Sequence, residues 1–240
     1  MQKNSTLTIL SLYAVAMGFL EAAVVVYMRQ LYYAANPLQI FPLQFLNSYD
    51  TVLELGRELA TVIMILTVAL LVERKSRTHQ FAAFVFVFGV WDLFYYFWLK
   101  VLMDWPQSWL EWDVLFLIPS VWLGPWICPA LISVLFIAWG GHTLRSGENT
   151  TFTWSSLIIF LAGAVLGVAA FLQPAAAVLA SGGMEALSRY TPGEFWWWLF
   201  VLSYLLMTWG LVKTRSTVPV SAAHDPASNA SRLRVQPQCD

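Results

Sequence analysis

Six long apolar stretches, residues 7–28, 52–72, 81–103, 114–139, 152–180 and 195–212, fill most of this 240-residue chain. Each is near or above the roughly 20 residues a helix needs to cross about 30 Å of hydrocarbon. In a bilayer core every backbone N–H and C=O must be satisfied within the protein, which leaves helices as the solution for runs of this kind. The chain therefore reads as an all-α, polytopic membrane helix bundle. Hydrophobic residues make up 59% and charged residues 11%, against roughly a quarter charged in soluble domains. The first stretch follows Lys3 and contains Ala14, Val15 and Ala16, a little like a signal peptide. It runs well past that point and carries Glu21, which suits a retained first helix.

Basic residues set the orientation. Lys3, Arg74, Lys75, Arg77, Arg145, Lys213, Arg215, Arg232 and Arg234 fall on one side of the six predicted spans, while only Arg29 and Arg189 fall in the opposite loops. By the positive-inside rule both termini are cytoplasmic, and an even number of spans requires both on one side. The predicted organisation is a six-helix transmembrane domain over residues 1–215, then a disordered cytoplasmic tail over 216–240, too poor in apolar residues to bury a core. The reading places the protein in the cell membrane, as a multi-pass protein of the cytoplasmic membrane of a prokaryote. Its partner is the lipid bilayer. A formal net charge of −1 and the absence of a basic stripe exclude nucleic acid. A homo-oligomer or a larger membrane complex is compatible with the pattern.

Ionisable groups at membrane depth are costly, so they mark a site. Glu21, Glu54, Arg57, Glu58, Asp92 and Lys100 all lie in the outward halves of the first three spans. At about 1.5 Å of rise per residue, Glu21 and Glu58 are level with one another about 10 Å below the outer ends of their helices, and Asp92 lies about 16 Å below its own. Glu54, Arg57 and Glu58 follow i, i+3, i+4 spacing, and Asp92, Tyr96 and Lys100 follow i, i+4, i+8, so each set shares one side of its helix. Glu21 shares its face with the small or adaptable Ala14, Met17 and Gly18, which lets a neighbouring helix approach. The predicted ligand or ion pocket is thus Glu21, Glu54, Arg57, Glu58, Asp92, Tyr96 and Lys100, walled by helices one to three, with Asp104, Glu111 and Asp113 at its mouth.

Four intramembrane acids against two bases leave a surplus of negative charge, and buried carboxylates without partners take up a proton or bind a cation. The outward loops are also net negative, a field that concentrates cations and repels phosphates. The three histidines, His79, His142 and His224, fall on the cytoplasmic side. A metal site would then be carboxylate-only, with Glu21, Glu58 and Asp92 as candidate ligands, and would suit a hard divalent cation such as Mg, Ca or Mn as cofactor. The bland alternative is that Arg57 pairs with Glu54 and Lys100 with Asp104 simply to hold helices together.

Several segments look shaped. Residues 29–50, with Tyr32, Tyr33, Pro37, Phe41, Pro42 and Phe45, are too apolar for an ordinary loop and read as lying in the outer interface or dipping back. Pro119, Pro125 and Pro129 read as breaks in the fourth helix, of the kind that lines binding sites. Gly163 and Gly167 read as a packing face, and Trp105, Trp109, Trp112 and Trp196 to Trp198 as an interfacial belt. Cys128 and Cys239 have no metal or disulfide spacing. No phosphate-cradling glycine loop, HExxH or GxSxG occurs, and nucleophilic hydrolysis is disfavoured because no histidine reaches the acids. Three classes remain: a protein that binds or moves a proton, cation or small cationic ligand; a membrane enzyme that uses carboxylic acids or a carboxylate-held metal on a neutral lipid or isoprenoid; and a structural or assembly subunit.

Overall fold

The computed structural model describes residues 2–44, 47–72, 76–146 and 149–217 and is mostly helical. Phe45, Arg74, Lys75, the second cysteine and the tail beyond residue 217 lie outside the described residues. The helices are α1 (Gln2–Tyr32), α2 (Ser48–Val72), α3 (Arg77–Met103), α4 (Ile127–Ser146), α5 (Trp154–Ser188) and α6 (Trp197–Val212). Five of them, α1 to α5, are long and apolar enough to cross a membrane, and α6, at 16 residues, is shorter.

Local chemistry fixes several ends. Ser76 caps α3, its hydroxyl accepting from the His79 N–H at 3.4 Å, and Thr153 forms a capping box with Ser156 at the start of α5. Asp104 ends α3 in the left-handed region, φ 58°, a conformation aspartate tolerates better than most residues. Gly183, φ +63°, breaks α5 near its end and turns its last residues, with Leu187, over the bundle.

The segment 114–139 departs from the single helix expected of it. Residues 112–125 form an antiparallel hairpin, β1 (Trp112–Phe116) with β2 (Trp122–Pro125), and helix begins only at Ile127. Valine and aromatic side chains suit a pleated, half-buried surface. Pro119 stands in the turn between the strands, Pro125 ends β2, and Pro129 sits in the first turn of α4, where its missing N–H costs nothing. The prolines therefore delimit a hairpin and do not kink a span.

Helix α3 is central, packing against α1, α2 and α4, while α5 packs on α6. The α5–α6 seam closes tightly: a Cβ on Gly163 would stand 2.7 Å from the Met207 nitrogen, and one on Gly210 2.6 Å from the Phe160 nitrogen. The Ser203 hydroxyl donates to the Gly163 carbonyl across this seam at 2.7 Å. Because consecutive helices alternate in direction, residues 33–44, the hairpin and the end of α5 meet at one end of the bundle. There Ile40, Phe41, Leu123, Ala175 and Leu187 form a common core, so the segment after α1 folds back over the helices. At the opposite end β3 (Asn149–Thr151) pairs with β4 (Arg215–Thr217), which puts Ser216 and Thr217 in a strand.

Candidate functional site

Beneath the folded-back segment and the hairpin lies a cavity of about 470 Å³. Helix α1 supplies Glu21 and Arg29 to its wall, α2 supplies Glu54, Arg57 and Glu58, α3 supplies Trp91, Asp92, Tyr95 and Tyr96, and the hairpin supplies Asp113 and Leu117. Of the ten residues singled out in the sequence, Glu21, Glu54, Arg57, Glu58, Asp92, Tyr96 and Asp113 thus come together.

Arg57 is the hub of the deep end. It forms ion pairs with Glu54, one turn before it on α2, and with Glu21 across on α1. The Thr61 hydroxyl also donates to Glu21, at 3.2 Å. Glu58, one turn beyond Glu54, is 5% exposed and turns to the hairpin, where both its oxygens accept from the Leu117 backbone N–H at 3.0 Å. Asp92 accepts from the Ser133 hydroxyl of α4 at 2.8 Å. The hydrogen bonds of Glu58 and Asp92 are thus to neutral donors, a backbone amide and a hydroxyl.

A second pair closes the other end. Arg29 lies inside α1, only 4% exposed, and its Nη2 meets Asp113 Oδ1 at 3.1 Å. The guanidinium carbon sits 4.0 Å from the centre of the Trp105 ring, a cation–π contact. Tyr96 packs between Trp105 and Trp126. Burial pushes the Asp113 carboxyl up to about 6, with Arg29 holding it down in part. Among the described residues, the buried wall donors Trp91 Nε1 and Arg29 Nη1 have no hydrogen-bond partner, whereas Arg57 Nη1 is held by its ion pair with Glu21.

Lys100, Asp104 and Glu111 stand apart from the cavity. Lys100 pairs with Asp104 at 2.7 Å, both largely exposed, and donates to the Pro106 carbonyl at 3.0 Å. Glu111 accepts from the Gln107 and Ser108 backbone N–H groups. Asp113, expected at the mouth, is instead 2% exposed in the wall. Among the described residues no three His, Cys, Asp or Glu side chains gather closely enough to hold a metal ion. Glu21, Glu58 and Asp92 do not converge because Arg57, Leu117 and Ser133 draw them in different directions.

Arg29, Trp91 and Tyr95 were not singled out in the sequence. Arg29 was visible in principle: it stands eight residues after Glu21, two turns on along the same side of one helix. Its partner, 84 residues away, left no local signal. The resulting wall carries five carboxylates and two guanidiniums. No family model, no curated protein and no solved structure matches this chain.

Proposed function

We propose that this chain is a six-span protein of a prokaryotic cytoplasmic membrane that binds, and in doing so moves, a small cation or cationic ligand in the cavity between α1, α2 and α3. The short α6 counts as the sixth span, residues 1–215 form the transmembrane unit, the remaining residues form a cytoplasmic tail, and the hairpin end faces outward. What supports this orientation is the nine-to-two division of basic residues across the spans. The observation that carries the binding role is the charge imbalance of the cavity wall, five acids against two bases, in a setting where unpaired negative charge is expensive. A cation, or a proton, restores the balance. Outward-loop acids add a field that draws cations to the opening.

The sharing of Arg57 by Glu21 and Glu54 favours a second reading, in which the charges only tie helices together. Infrared difference spectra separate the two. Adding ethylammonium to purified protein in nanodiscs should perturb carboxylate stretches in the wild type, and the signal should shrink at least tenfold in amplitude at equal ligand in Glu58→Gln. Identical, flat spectra for both proteins would leave only the structural reading.

A further inference from the structure

Helices α1 and α2 both lean on α3, and Leu7, Leu10, Ala14 and Met17 of α1 share one apolar cluster with Ile65 and Ala69 of α2 toward one end. Toward the other end polar side-chain tips join them: Glu21 to Arg57, Glu21 to Thr61, and Tyr32 to Asp50. A pair of helices tied in this way encloses a slot. Its rims are the half-buried Val25 and Met28 on one side and Leu55 on the other, all of which also line the cavity. A Cβ added at Gly56 would meet nothing within 4 Å, and Arg57 remains 20% exposed although it sits in mid-helix. The outer face of α2 beside the slot is apolar and exposed, with Leu53, Leu59 and Ile63 each more than half exposed. In a membrane that face meets hydrocarbon, so the slot opens onto lipid.

The cavity behind the slot is incomplete in two ways. Glu58 and Asp92 are hydrogen-bonded only to neutral groups, an amide N–H and a hydroxyl, in a wall of five carboxylates and two guanidiniums. Two buried donors in the wall, Trp91 Nε1 and Arg29 Nη1, belong to residues 6% and 4% exposed and have no acceptor. A buried donor without a partner costs the full desolvation of that group. A bare metal ion supplies no acceptor, and a phosphate would add charge of the sign already in excess. An ammonium beside a hydroxyl or carbonyl oxygen answers both deficits, and an apolar chain matches the rims of the slot.

Resting on the cation-binding reading above, we infer that the occupant is a single-chain amphiphile with an ammonium head and a neighbouring oxygen, which reaches the cavity sideways from the bilayer between α1 and α2. The head lies against Glu58 and Asp92, and the chain leaves past Val25 and Leu55.

Three probes test this on the full chain in nanodiscs: 2-aminododecan-1-ol, its short water-soluble counterpart 2-aminobutan-1-ol, and the uncharged 1,2-dodecanediol. Binding is read by calorimetry as the excess over empty nanodiscs, which removes partition into lipid. The long amino alcohol should bind at least tenfold more tightly than either of the others. Leu55→Trp, which narrows the slot, should weaken the long amine at least tenfold more than the short one and so erase the advantage of the long chain; should that variant unfold, Val25→Phe asks the same question from the other rim. Equal binding of the two amines, or a long-chain advantage that survives both rim variants, would overturn the lipid-borne class while the cation pocket stands. Binding of the diol as tightly as the long amine, or of none of the three, would remove the cation reading and this inference with it.

Discussion

Helices α5 and α6 meet through absent side chains, whereas one end of α1, α2 and α3 is built around charged ones. At the first seam Gly163 and Gly210 bring the two backbones within reach of one another, and the polar contact across it, Ser203 to the Gly163 carbonyl, is short and buried. Close backbone approach of this kind lets dispersion act along the contact. Around one end of α3, by contrast, charged side chains of α1 and α2 line a cavity of about 470 Å³. The two regions thus differ in kind: one is closed by backbone contact, the other holds charge around a cavity.

The sharpest way to break the contrast is to remove a charge from the polar half. Arg29→Met strands Asp113, buried and unpaired, and should destabilise the protein by about 4 kcal/mol, measured by SDS titration in mixed micelles. If the loss is below about 1 kcal/mol, charge does not hold this half together.

Next comes pH. Burial lifts Asp113 from 3.8 to about 6, so between these values the folded protein binds a proton that the unfolded chain releases. The contribution of this group to stability is therefore greatest below about pH 4, falls as pH rises to about 6, and is constant above that. The span is worth about 3 kcal/mol. The difference in stability between wild type and Asp113→Asn should follow this curve across pH 4 to 6, and a difference independent of pH would refute it.

The smallest effect belongs to the apolar half. Gly210→Val puts a branched side chain 2.6 Å from the Phe160 backbone and should cost about 2 kcal/mol by overpacking, while Gly56→Ala, with open space around it, should be neutral or slightly stabilising. Equal costs at the two glycines, in the same SDS titration, would erase the distinction between the seams.

Much of the arrangement around α3 is legible in the sequence, because the period of a helix places charges on faces without help from tertiary structure. Glu54 and Arg57 meet at i, i+3 spacing, and Glu21 is found at their level on the next helix. The segment 112–125 was opaque for the opposite reason. Its apolar run signals burial but not conformation, and in a chain so rich in apolar helices the prolines look like kinks. Arg29 was hidden by its position: a base at the end of a span counts as a loop charge until its distant acid is known. Lys100 and Asp104 share the i, i+4 spacing of a helix face, yet by that point α3 is ending, so their pair is solvated and stands outside the cavity.

The contact between Glu58 and Leu117 has an asymmetry that bears on how the sequence can drift. One partner contributes a side chain, the other only its backbone N–H. Any residue except proline can donate from position 117, whereas at position 58 a shorter acid falls short and an amide changes the charge. Selection for a hairpin docked on α2 would therefore be recorded at one of the two positions alone, and pairs of this kind leave no covariation behind them.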